Sequence, residues 1–112
     1  MESNAALAAL SAISHRIRLQ AFRELVQAGA EGLSVGMLRD RLEIPPATLS
    51  AYLNTLRASG LVADTREGRV IRVRANFERM DSLLRYLTEN CCGGAPCAPA
   101  NTCKPTRKGA KR

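Results

Sequence analysis

With 112 residues the chain falls short of the ~150 of a typical domain, so it reads as one domain whose core is too small for a buried catalytic cleft, against a large enzyme. Hydrophobic residues at 46% and charged residues at 24% are ordinary globular values that exclude disorder throughout, and 4% aromatics make the core aliphatic. The net charge of +7 says little about nucleic acid by itself, because Lys104, Arg107, Lys108, Lys111 and Arg112 supply five positive charges and residues 1–103 carry 12 basic against 10 acidic groups.

Ser3 or Asn4 is placed to cap a first helix through Ala5, Leu7, Ala8, Leu10 and Ala12. That helix has almost no polar face, which in so short a chain calls for burial against a second copy. A second helix is expected from His15 to Ala28, with Ile17, Phe22, Leu25 and Val26 on one side, ending near Gly29. A third runs from Val35 to Leu42 with Ser34 as N-cap and Leu38 and Leu42 inward. After the break at Glu43-Ile44-Pro45-Pro46, Pro46 suits the first position of a fourth helix that Gly60 stops. Leu49, Leu53 and Leu56 face inward there, leaving Thr48, Ser50, Ala51, Tyr52, Asn54 and Thr55 outward. Two amphipathic helices around a tight turn, the second displaying short polar side chains, have the order of a helix-turn-helix.

Leu61 to Arg66 and Arg69 to Ala75 are β-prone runs around Glu67-Gly68, a hairpin in the position of a wing. Asn76 caps a last helix, Phe77 to Asn90, with Phe77, Met80, Leu83, Leu84 and Leu87 apolar. The reading is therefore a mainly α fold with a small β-hairpin wing: a winged helix-turn-helix domain over residues 1–92 and a flexible, basic, cysteine-containing tail over 93–112. No apolar run approaches the ~18 residues of a membrane span, and Met1-Glu2-Ser3-Asn4 lacks the basic start of a signal peptide, so no membrane partner and a cytoplasmic location are expected.

Cys91, Cys92, Cys97 and Cys103 fall within 13 residues. A disulfide framework is disfavoured by the reducing compartment and the existing core, which leaves soft-ion binding and thiol redox sensing. A structural zinc site fits less well, because Cys91 and Cys92 crowd each other and four residues separate Cys92 from Cys97. Closing a loop to Cys103 instead of Cys97 costs about 0.7 kcal/mol more, so spacing leans to Cys97 without deciding the third ligand. The two vicinal thiols are placed at the partly negative end of the last helix. His15 reads as a capping or surface residue, and Glu24, Asp40 and Glu43 as solvated helix-face charges, so no acid–base set exists and neither an enzyme nor a catalytic cofactor is expected. Arg66 and Arg69 are assigned to wing phosphates, and Thr48, Ser50, Ala51, Tyr52 and Asn54 to base or phosphate contacts, with partial burial of Tyr52 as its other reading.

Leu10-Ser11, Ser14 to Leu19, Phe22-Arg23, Pro45 to Ser50, Gly60-Leu61-Val62, Arg66 to Arg69 and Tyr86 to Gly94 together resemble the ArsR/SmtB family of metal-responsive winged-helix repressors over about residues 5–94. The Cys91-Cys92 segment is similar to the arsenic(III)-responsive subgroup. The resemblance implies a homodimer joined by its first and last helices, operator DNA as partner, and As(III) or Sb(III) as inducer on Cys91, Cys92 and a third thiolate, Cys97 or Cys103. The chain departs from the family where histidine often stands in place of Tyr52. It also has no cysteine in the third or fourth helix and only one histidine, so the other sites of the family cannot form.

Overall fold

The computed structural model describes residues 1–94; the expected tail, with Cys97 and Cys103, lies outside the described residues. Helix α1 (Ser3–Ala12) begins one or two positions earlier than a cap at Ser3 or Asn4 would give. Ala6 N–H donates to the Glu2 carbonyl at 3.0 Å, which makes Glu2 the N-cap and places Ser3 and Asn4 inside the first turn, where neither caps. Ala6, Ala9 and Ala12 are buried along one stripe, and their small side chains let α1 lie close on the fourth and fifth helices.

Helix α2 (Arg16–Ala28) is capped by His15, whose Nδ1 accepts from the backbone N–H of Ile17 (3.1 Å) and Arg18 (3.4 Å). Glu24 is no simple solvated charge: Arg41 of α3 (Val35–Leu42) reaches it at 2.9 Å and ties the two helices together. A short 3₁₀ turn, Gly29–Glu31, leads to buried Gly32 at φ 68°. There a side chain would collide with the Val73 carbonyl.

Leu33–Ser34 forms a strand, β1, where the sequence pattern suggests only the approach to α3. It pairs with β3 (Val70–Ala75), and β3 pairs with β2 (Val62–Glu67), giving an antiparallel sheet in the order β1-β3-β2. The wing is thus a three-stranded sheet, which secures the hairpin to the helices. Ser34 also caps α3 as expected, accepting from Met37 N–H at 3.1 Å.

The turn of the hairpin is Gly68-Arg69, one residue beyond the expected position, because Glu67 pairs with Val70. Gly68 takes φ 63° and Arg69 stays on the negative side, the sign pattern of a type II′ turn. Helix α4 (Pro46–Ala58) buries Leu49, Leu53 and Leu56 in one core with Leu25, Leu38, Leu61 and Val73, the aliphatic interior anticipated from composition.

Helix α5 (Phe77–Thr88), capped by Asn76 through Arg79 N–H at 3.2 Å, stops two residues short of the expected Asn90. The chain leaves at Glu89 (ψ 129°), and Asn90 turns left-handed at φ 56°. Cys91 and Cys92 consequently sit in a separate turn, Cys91–Gly94, in which Cys92 is left-handed at φ 58°, and not in the last helical turn as expected. No helix among the described residues is long and apolar enough to cross a membrane.

Candidate nucleic-acid interface

Helices α3 and α4, joined through left-handed Glu43 (φ 55°) and extended Pro45, form the helix-turn-helix. Pro46 starts α4 because its missing N–H falls on a position that needs no donor. The buried leucine stripe fixes the rotation of α4, so the opposite side is presented outward. That side carries no carboxylate, as the helix contains no acidic residue. Of the residues assigned to DNA contact, Ser50, Ala51 and Asn54 are exposed, while Thr48 and Tyr52 are half-buried.

Tyr52 is held from behind. Its ring lies 4.8 Å from the His15 ring, its hydroxyl 3.5 Å from His15 Nε2, and the Arg18 guanidinium 5.8 Å from its centroid. Arg18 Nε in turn donates to the Ala12 carbonyl at 2.6 Å, closing the end of α1. The start of α2, the end of α1 and the outer surface of α4 therefore meet at one tyrosine. Packing and surface display are both present in Tyr52, and its polar edge is already engaged from the protein side.

Asn54 is likewise engaged. Arg57 Nη1 donates to Asn54 Oδ1 at 2.9 Å, while Arg57 Nε faces both carboxylate oxygens of Asp64 on β2, at 3.0 and 3.1 Å. Sequence reasoning does not single out Arg57 or Asp64. The i, i+3 spacing of Asn54 and Arg57 is visible along the chain, but the pairing with Asp64 depends on how the hairpin docks.

Strand pairing sorts the wing arginines. Arg66 stands opposite Ile71 and shares a sheet face with Asp64 and Val73, the face that reaches α4. Arg69 occupies the turn, and neither Arg66 nor Arg69 has a hydrogen bond or ion pair among the described residues. Arg72 and Arg74 lie on the other face, where Arg72 binds Glu67 at 3.3 Å and Arg74 binds Thr65 Oγ1 at 3.0 Å. The two wing arginines expected to meet phosphates are thus the two left open, one on the side of α4 and one at the tip.

The thiol pair lies just beyond α5. Cys91 Sγ and Cys92 Sγ are 3.7 Å apart, and both residues are exposed. Among the described residues no three Cys, His, Asp or Glu side chains gather to hold a metal. Two adjacent soft donors at this separation suit one soft, thiophilic centre better than a hard cation.

The helix-turn-helix domain family matches residues 13–65, which run from the end of α1 into β2. Among solved structures, HlyU from Vibrio cholerae N16961 is 31% identical, with 82% of this chain and 99% of that one covered and a TM-score of 0.59. The transcriptional repressor BigR from Xylella fastidiosa is 30% identical, covering 80% and 89%, with a TM-score of 0.61. An ArsR-like transcriptional regulator from Rhodococcus sp. RHA1 is 27% identical, covering 81% and 83%, with a TM-score of 0.71. No curated protein sequence matches. A recognition helix free of carboxylates, two open wing arginines and these likenesses describe a DNA-binding regulator and not an enzyme, and the chain belongs to the ArsR/SmtB family of winged-helix transcriptional regulators.

Proposed function

We propose that this regulator is a repressor that holds operator DNA as a homodimer and is released when As(III) or Sb(III) binds Cys91, Cys92 and a third thiolate from Cys97 or Cys103. The observation that carries the reading is the vicinal pair, exposed, 3.7 Å apart and placed directly after α5. Dimerisation through α1 and α5 is supported by apolar side chains left in solvent: Leu7 at 60%, Leu84 at 53% and Leu87 at 54% exposure. An apolar groove between α2 and α5, lined by Ile13, Leu19, Phe22, Val26, Met80 and Leu84, continues that surface. A two-fold dimer would set its recognition helices about 34–36 Å apart, in successive major grooves, and so read an imperfect palindrome.

Release is linkage. Capture of the metalloid ties Cys91 and Cys92 to a third thiolate just beyond α5, next to the surface assigned to the dimer, and favours a dimer arrangement that fits DNA poorly. Couplings of ~1–3 kcal/mol correspond to 5–150-fold loss of DNA affinity, and DNA must weaken metalloid binding by the same factor. Each thiol proton leaves as water with a hydroxyl group of As(OH)3 or Sb(OH)3, so metalloid exchange onto neutral thiols releases no net proton, whereas capture of a divalent cation by the same thiols weakens as pH is lowered.

The test is fluorescence anisotropy of the protein on labelled DNA from upstream of its own gene, with arsenite, antimonite, zinc or peroxide added in turn. Release by a trivalent metalloid, lost in the Cys91→Ser, Cys92→Ser double variant, is the expected result. Release that survives the double variant would refute the proposal. Release by peroxide alone would assign the same thiol pair to a redox switch, a reading that their separation also permits.

A further inference from the structure

The contact between Arg57 and Asn54 restricts what Asn54 can read, an inference that rests on α4 being the helix that meets DNA. Arginine has only N–H donors, so the amide atom 2.9 Å from Arg57 Nη1 must be the carbonyl oxygen, and the usual ambiguity between the two ends of an asparagine amide is absent here. The Nδ2 amino group is then the end not held by any of the described residues, on an exposed residue of the outward side of α4. Arg57 cannot easily swing away to free the oxygen. Its Nε is fixed between both carboxylate oxygens of Asp64 at 3.0 and 3.1 Å, and both side chains of that pair are about two-thirds shielded, at 30% and 35% exposure.

Asparagine commonly recognises adenine in a bidentate manner, the carbonyl accepting from adenine N6 while the amino group donates to N7. Here the adenine amino group would have to use the second lone pair of an oxygen that already accepts from a cation, with the positive guanidinium beside it. The guanidinium charge weakens that contact. An edge made only of acceptors meets no such conflict, and guanine presents two, N7 and O6, in the major groove. We propose that Asn54, with the Arg57 cation beside its carbonyl, reads chiefly as a donor and selects guanine over adenine, with Arg57 and Asp64 as the positioning residues that set this specificity and lock the recognition helix to the wing.

The experiment is selection of duplexes from a randomised DNA library by the full chain, followed by sequencing, for the wild type and for Asn54→Ala, Arg57→Met, Arg57→Lys and Asp64→Asn. Asn54→Ala should flatten the preference at one position of each half-site, where the wild type takes guanine. Arg57→Met removes the cation beside the carbonyl and should raise adenine relative to guanine at that same position by about tenfold, the discrimination of one good bidentate pair. Arg57→Lys keeps the charge but cannot bridge Asn54 and Asp64 as a fork does, so it should shift the same base in the same direction. Asp64→Asn should do so more weakly. A role confined to stability would lower the melting temperature and leave the base preference where it was.

Adenine as the wild-type choice at the Asn54-dependent position overturns the proposal, as does an unchanged preference in both Arg57 variants. A clear selected sequence that Asn54→Ala leaves intact overturns this inference alone and leaves α4 as the reading helix. Selection of no sequence at all would remove the operator-reading function itself.

Discussion

His15 shows how much one side chain can settle at a helix start. Its Nδ1 accepts two backbone N–H groups of α2 while its ring packs on Tyr52 of α4, so the lone histidine of the chain is spent on capping and contact, as its position suggests. Replacing it by alanine removes the cap and should lower unfolding free energy by about 1 kcal/mol, whereas His15→Asn, which keeps an acceptor, should recover most of that loss in denaturant titrations. The reverse ordering would show that the cap is unimportant and the Tyr52 packing dominates. The cap is legible from one residue at the right place. The partner ring, 37 positions away, is not, because only the crossing of α2 and α4 brings it there.

At the scale of elements, the wing illustrates what periodicity can and cannot give. Alternation in Val70 to Arg74 and a glycine announce the hairpin, but a turn of two residues can start at either of two neighbouring positions until cross-strand pairing is known. Pairing of Glu67 with Val70 fixes it, and with it the faces on which the arginines stand. A shift by one residue would exchange the sides of Arg66 and Thr65. If Arg69 at the turn meets a phosphate, Arg69→Ala should weaken binding to all duplexes alike and reduce the slope of log affinity against log salt by about 0.9 for each phosphate that Arg69 neutralises. A drop in sequence discrimination instead would mean that it reaches bases. The two-residue β1 is invisible in the sequence for a different reason: Leu33 and Ser34 are too few to show a period, and their strand character exists only because Val73 and Arg72 lie alongside.

For the whole molecule, the informative surface is apolar. Leu84 and Leu87 project from α5 into solvent, one helical turn apart, although Leu83 beside them is buried. A helix with apolar residues on its solvent side as well as its core side has a second partner to satisfy. Leu84→Glu with Leu87→Glu should therefore convert the protein to a folded monomer in size exclusion with light scattering, and DNA affinity should fall sharply because two half-sites are no longer read together. A wild-type protein that is already monomeric at micromolar concentration would defeat this account of the surface.

The order of the five helices and the hairpin, the leucine stripe of α4, the caps at His15, Ser34 and Asn76, and the clustering of the thiols were all legible along the chain, because each depends on residues within a few positions of one another. Three features needed the folded molecule. Arg57 stands between Asn54 and Asp64, Arg18 and His15 back Tyr52, and the chain departs from α5 before the cysteines. The first two depend on where distant elements cross. The last depends on Glu89 and Asn90 leaving helical backbone angles, a step that the apolar pattern ending at Leu87 does not record.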